Sequence, residues 1–213
     1  MNMASSIIHF AIAECVAKEL DIKDIYRFRL GAVLPDGAIH GNGHLKIRIC
    51  DETKSTYDLE GFRKRFAEQM KEDDLYLGYY LHLVQDIFYR YFVYSEYHWD
   101  PLAPGNVERL YQDYRITNDF VIRKYSLKPS MIKQVDLAAE PILAIAEYDV
   151  MELVERIKGQ FVPVEDTGIF FFTREMAEEF IKRAITFCKD EIQRLADGKA
   201  GLSNYEWSWE RHS

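Results

Sequence analysis

The sequence predicts a single all-helical domain, on three observations. Apolar residues recur at helical spacing in several separate stretches, and each stretch begins at a Ser, Thr, Asp or Asn able to cap a helix. The most apolar stretch, Leu75 to Tyr94, contains no Pro and only Gly78 as a breaker. The 213 residues suffice for one good-sized core, with no internal repeat and no linker long enough to divide domains.

Taken in order, Ser5 and Ser6 can cap a first helix in which Ile7, Phe10, Ala11, Cys15, Val16 and Leu20 form an apolar stripe, with His9 beside it. From Leu30 to Asp51 the chain turns irregular, rich in Gly and holding Asp36, His40 and His44, and reads as a loop. Asp58 caps a helix from Leu59 to about Lys71, striped by Leu59, Phe62, Phe66 and Met70. Asp73 and Asp74 cap the central helix, Leu75 to Tyr94. A turn-rich connector follows, carrying Glu96, His98 and Asp100 and stopped by Pro101 and Pro104. Asn106 can cap a helix to Tyr125, with Tyr111, Tyr114, Asn118 and Val121 or Ile122 on one side and Asp113 and Asp119 adding polar groups. Pro129 begins a short helix and Pro141 interrupts the next apolar run. The segment FVPVEDTGIFFF can hold a short strand or extended chain. Thr173 opens a long final helix through Met176, Phe180, Ile181, Ala184, Ile185, Cys188 and Ile192, before a tail with Trp207, Trp209 and His212.

A formal net charge of -8 argues against stable nucleic-acid binding, which needs clustered Lys and Arg for phosphates. Cys15, Cys50 and Cys188 are widely spaced and form no CxxC pair, so neither a disulfide framework nor a thiolate zinc site is indicated, and a cytoplasmic setting is expected. No stretch reaches the roughly 18 apolar residues of a membrane span, and the N-terminal apolar part follows no basic leader. The aromatic helix faces and the Trp-containing tail are expected in the core; a homo-oligomer surface is the other use for them.

Within the central helix, His82 and Asp86 fall on one face, one turn apart, with Gly78 a turn earlier, where a missing side chain would let another segment approach the imidazole. A carboxylate among Leu, Phe and Tyr needs a partner. Arg90 is one candidate; a metal ion is another. Five of the six histidines precede the midpoint, which fits one site built from the first helix, the glycine-rich loop and the central helix. Imidazole and carboxylate donors without thiolates suit Zn, Mn or Fe, and such an ion acidifies water and steadies charge on a phosphoryl oxygen. No GxSxG context suggests a serine nucleophile, and no His-Asp dipeptide of the HD phosphohydrolase kind occurs.

The ordered stretches IIHFAIAE, LGAVLPDGAIHGNGH and GYYLHLVQD resemble the zinc-dependent phospholipase C family of bacteria over about the first 125 residues, and YQDYRITNDFVIRKY looks similar too. The resemblance implies a multi-helix fold of the phospholipase C / P1 nuclease type and a metal set of His9, Asp36, His44, His82 and Asp86, with Asp86 bridging between ions. His40 stands as an alternative to His44. The family's further ligands after the central helix are represented at most by His98 or Glu96, so one or two zinc ions are expected, with Mn or Fe as alternatives. The function implied is hydrolysis of a small phosphate ester by metal-activated water, with Asp36 orienting or deprotonating that water. The competing expectation is a non-catalytic helical binding or scaffold protein with a structural or vestigial metal site.

Overall fold

A computed structural model describes residues 4–49 and 54–207. Cys50, Asp51, Trp209 and His212 lie outside them. The described residues are mostly helical, in line with the all-helical expectation, with four short strands in two antiparallel ribbons beside the helices.

Helix α1 (Ser6–Val16) starts where Ser5 Oγ accepts from the Ile8 amide at 3.4 Å. It ends a turn before Leu20, because the chain reverses to enter a helix the apolar pattern did not reveal. That helix, α2 (Ile25–Gly31), is capped by Asp24, whose Oδ1 accepts from the amides of Tyr26 and Arg27. The glycine-rich stretch then folds as a 3-10 turn, Leu34–Gly37, followed by β1 (Ala38–Gly41) and β2 (Lys46–Ile49). Strand β2 pairs with β3 (Lys54–Tyr57), placing Lys46 opposite Tyr57, while β1 waits for a partner about a hundred positions later.

The helix expected from Leu59 to Lys71 divides at Phe66 into α3 (Leu59–Arg65) and α4 (Gln69–Glu72). The buried Phe66 ring packs between Phe62 and Tyr76, and that burial wins over helix continuity. Helix α5 (Asp74–Arg90) is capped by Asp73 and runs on into one π-helical segment, Tyr91–Glu96. It is the axis of the molecule, buried along nearly its whole length, with α2 laid against it. The two backbones touch: a methyl on Gly78 would stand 2.2 Å from the Phe28 carbonyl, and one on Gly31 2.1 Å from that of Leu75.

Helix α6 (Asn106–Lys124) begins after Gly105, at φ 78°, rather than at an Asn106 cap; the Asn106 side chain instead donates to the Asp100 carbonyl at 2.8 Å. Tyr114, Asn118 and Val121 are buried but Tyr111 is exposed. After 3-10 turns at Pro129–Met131 and Pro141–Ala144 comes β4 (Ala146–Tyr148), partner of β1, then α7 (Val150–Lys158). Residues 161–172 form neither helix nor strand. Asp113 on α6 pins their end, its carboxylate accepting from the amides of Phe170, Phe171 and Phe172. Helix α8 (Arg174–Ala196) starts at Thr173 as expected and closes the core with α1, α5 and α6. Trp207 packs on Phe88, Tyr91 and Phe187. Among the described residues no helix is long and apolar enough to cross a membrane.

Candidate metal centre

The five residues expected at one site arrive from four places. His9 comes from α1, Asp36 from the 3-10 turn, His44 from the loop between β1 and β2, and His82 and Asp86 from α5. They converge. His9 Nε2 lies 3.4 Å from Asp86 Oδ1, while His44 Nε2 and His82 Nε2 each lie 3.6 Å from Asp86 Oδ2. Asp36 Oδ1 is 3.4 Å from His44 Nε2 and 4.0 Å from His82 Nε2. The His9 and His82 rings stack at 3.9 Å, and His44 stands edge-on to His82.

The outer atoms of these side chains are held by the fold. His9 Nδ1 meets Gln85 Oε1 at 2.9 Å, and His82 Nδ1 meets the Ala32 carbonyl at 2.9 Å. A carbonyl can only accept, so the proton of His82 resides on Nδ1 and the lone pair of the neutral ring points inward from Nε2. The approach allowed by Gly78 is thus used by α2 and Ala32, which stand where a side chain would have been. Ser6 Oγ donates to Asp36 Oδ2 at 2.6 Å, and Arg156 Nη2 donates to the Asp36 carbonyl at 2.9 Å. Tyr79 donates to the Gly43 carbonyl and steadies the loop that carries His44.

The inner atoms have no such partners. His9 Nε2, His44 Nε2, His82 Nε2, Asp36 Oδ1 and both carboxylate oxygens of Asp86 are buried without a hydrogen bond. Their separations of 3.4 to 4.0 Å are long beside the usual length of a hydrogen bond, about 2.7–3.2 Å. Two donors that each sit about 2.0–2.1 Å from one tetrahedral ion stand roughly 3.3 Å apart, so the spacing suits donors around a shared cation. Two overlapping triads, His9 with Asp36 and His82, and His44 with His82 and Asp86, have donor atoms within 4.8 Å of one another. Both need His82 Nε2. The two triads overlap in one chamber around His82.

Electrostatics follow the same geometry. Burial alone would raise both carboxyls, but the surrounding imidazoles outweigh it: Asp36 is brought down to about 2, and Asp86 falls well below the usual carboxylate range. Burial would likewise lower His82, yet the Asp86 carboxylate beside it raises it. The chamber favours positive charge, whether that charge is a proton on His82 or a metal ion.

The alternatives separate cleanly. His40 is exposed on β1, and the chain brings His44, not His40, to Asp86. His98 is exposed in the connector, and Glu96 is engaged by both Nη atoms of Arg183, at 2.6 and 2.7 Å. Arg90 sends Nη1 to the Ser55 carbonyl at 2.7 Å. Gln85, Ala32 and the hydroxyl of Ser6 are supporting groups without a sequence pattern to reveal them, since a backbone acceptor, an amide and a helix-start serine are common everywhere. No family model matches this chain, and no curated protein or solved structure shows significant similarity to it.

Proposed function

We propose that this protein is a metal-dependent hydrolase of a small phosphate ester, with a helical fold of the phospholipase C / P1 nuclease type. The observation that carries this reading is the convergence of six unpartnered donor atoms, from five residues, on one buried chamber. His9, His44, His82, Asp36 and Asp86 would hold a divalent ion, zinc by donor type, with Mn or Fe as alternatives. When bound there, such an ion supplies Lewis acidity: it acidifies water and offsets charge on a phosphoryl oxygen. Gln85 and Ala32 fix the orientation of the His9 and His82 rings, as second-layer acceptors do around metal-binding imidazoles. Asp36, anchored by Ser6, stays ionised at neutral pH; a carboxyl at about 2 is too weak a base for efficient proton abstraction, so its role is to orient water or the ion.

One observation favours a second reading. His9, His82 and Asp86 are fully buried, and among the five only the His44 side chain has appreciable exposure, at 13%. A closed shell is the mark of a structural metal in a binding or scaffold protein. Metal content by plasma mass spectrometry, on untagged protein purified without chelator and on the His82→Ala, Asp86→Ala double variant, tests both readings. Stoichiometric metal lost in the variant, with metal-dependent turnover of p-nitrophenyl phosphate or bis(p-nitrophenyl) phosphate, supports the hydrolase. Bound metal without turnover across phosphate esters favours the structural site. Turnover that survives in the double variant rules out the assignment.

A further inference from the structure

Five tyrosines have essentially no exposed surface: Tyr57, Tyr76, Tyr79, Tyr80 and Tyr89. Four of them spend their hydroxyl on a partner. Tyr76 and Tyr80 reach the carboxylates of Glu140 and Glu191, Tyr79 reaches the Gly43 carbonyl, and Tyr89 reaches Tyr114. The hydroxyl of Tyr57 has no hydrogen-bond partner among the described residues. A buried O–H without an acceptor forfeits its hydration for nothing, and folded chains rarely keep one without a use.

Its position suggests the use. Tyr57 ends β3, directly opposite Lys46, and Lys46 lies two residues beyond His44, the one donor of the metal centre with appreciable exposure. The Arg90 guanidinium, one helical turn past Asp86, stands over the Tyr57 ring at 5.5 Å from its centroid. We propose, resting on the phosphate-ester reading above, that the Tyr57 hydroxyl donates a hydrogen bond to a non-bridging oxygen of the phosphoryl group held at the metal centre. The β2–β3 ribbon is then the wall that receives the anionic part of the substrate. Asp86 and Asp36 both act on Tyr57 and on Lys46. Burial pushes the Tyr57 phenol well above its ordinary value, so it remains a donor at neutral pH.

The test is calorimetric titration of inorganic phosphate into metal-containing wild-type protein and Tyr57→Phe, with metal content and melting temperature measured on both. The phenylalanine keeps the ring and removes only an unpartnered hydroxyl, so metal content and melting temperature are expected to hold. Phosphate affinity is expected to fall at least about tenfold, as for a lost hydrogen bond to a charged group. Equal phosphate affinity in the two proteins overturns the inference. Wild-type protein that holds metal but binds no phosphate also overturns it and leaves the metal centre standing. Wild-type protein without metal overturns the hydrolase reading, and this inference with it.

Discussion

Helix α5 carries two buried polar clusters, and they are built to opposite rules. Two residues before His82, on another face of α5 from the candidate metal centre, Tyr80 donates to Glu191 of α8, a residue 1% exposed. The Leu202 amide donates to both carboxylate oxygens of Glu191 at 3.0 Å, and Arg63 reaches Glu191 at 3.4 Å while giving its other nitrogen to the Leu202 carbonyl at 2.8 Å. Every charge there is answered from within the chain. At His82 and Asp86 the outer atoms are answered and the inner ones are not. A polar group buried for architecture is satisfied by the fold; one buried for a ligand is left facing its neighbours across a gap that the fold holds open.

The largest expected effect comes from breaking the satisfied cluster. Glu191→Ala removes the acceptor of Tyr80 and Leu202 and leaves the Arg63 charge, 18% exposed, without its carboxylate. Loss of one partner from such a buried pair costs about 4 kcal/mol. Urea unfolding should show that loss with metal content per folded chain unchanged. A variant that sheds metal in step with stability would mean the two clusters are one unit.

The same contrast explains what the sequence made legible. His82 and Asp86 could be paired from a spacing of four on a helix, because helical geometry fixes which residues share a face. Helices α1, α5 and α8 were readable from stripes that begin at Ser5, Asp73 and Thr173. The strands were not: β1 and β2 are four residues each inside a turn-rich stretch, and β1 is completed by Ala146–Tyr148, far along the chain. Helix α2 was missed because its residues are set by contact with α5 through Gly31 and Gly78 more than by a stripe of their own. The choice between His40 and His44 depended on that folding, since the bulged β1 leaves His40 outside while the turn at Leu45, at φ 45°, carries His44 inward. The Glu191 cluster was illegible altogether, being assembled from α3, α5, α8 and residue 202.

Asp86→Asn sharpens the comparison by the size of its effect in two conditions. In chelator-treated protein it removes the carboxylate that the His82 and His9 imidazoles favour, so stability near neutral pH should fall modestly. In the presence of metal the wild type gains stability by mass action, about 2.7 kcal/mol at a hundredfold excess over Kd, and the variant should gain far less. Melting curves with and without chelator give both numbers. A variant destabilised equally in the two conditions would make Asp86 an architectural carboxylate like Glu191.

The smallest effect is the pH dependence, and it has opposite signs in the two states. Without metal, the raised His82 contributes stability that is fully present below its unfolded value near 6.5 and is lost as pH rises through the higher folded value. The lowered Asp36 and Asp86 contribute stability that is present above about pH 4 and is lost as pH falls through their folded values, about 2 for Asp36. Chelated protein should therefore be most stable between about pH 4 and 6.5, and soften above that. Metal needs the same imidazoles deprotonated, so its stabilising effect should grow as pH rises and fade on acidification. The difference in melting temperature between loaded and chelated protein should accordingly widen from pH 5 to pH 8. Parallel curves over that range would show that His82 does not exchange a proton for an ion, and would return the chamber to the architectural class.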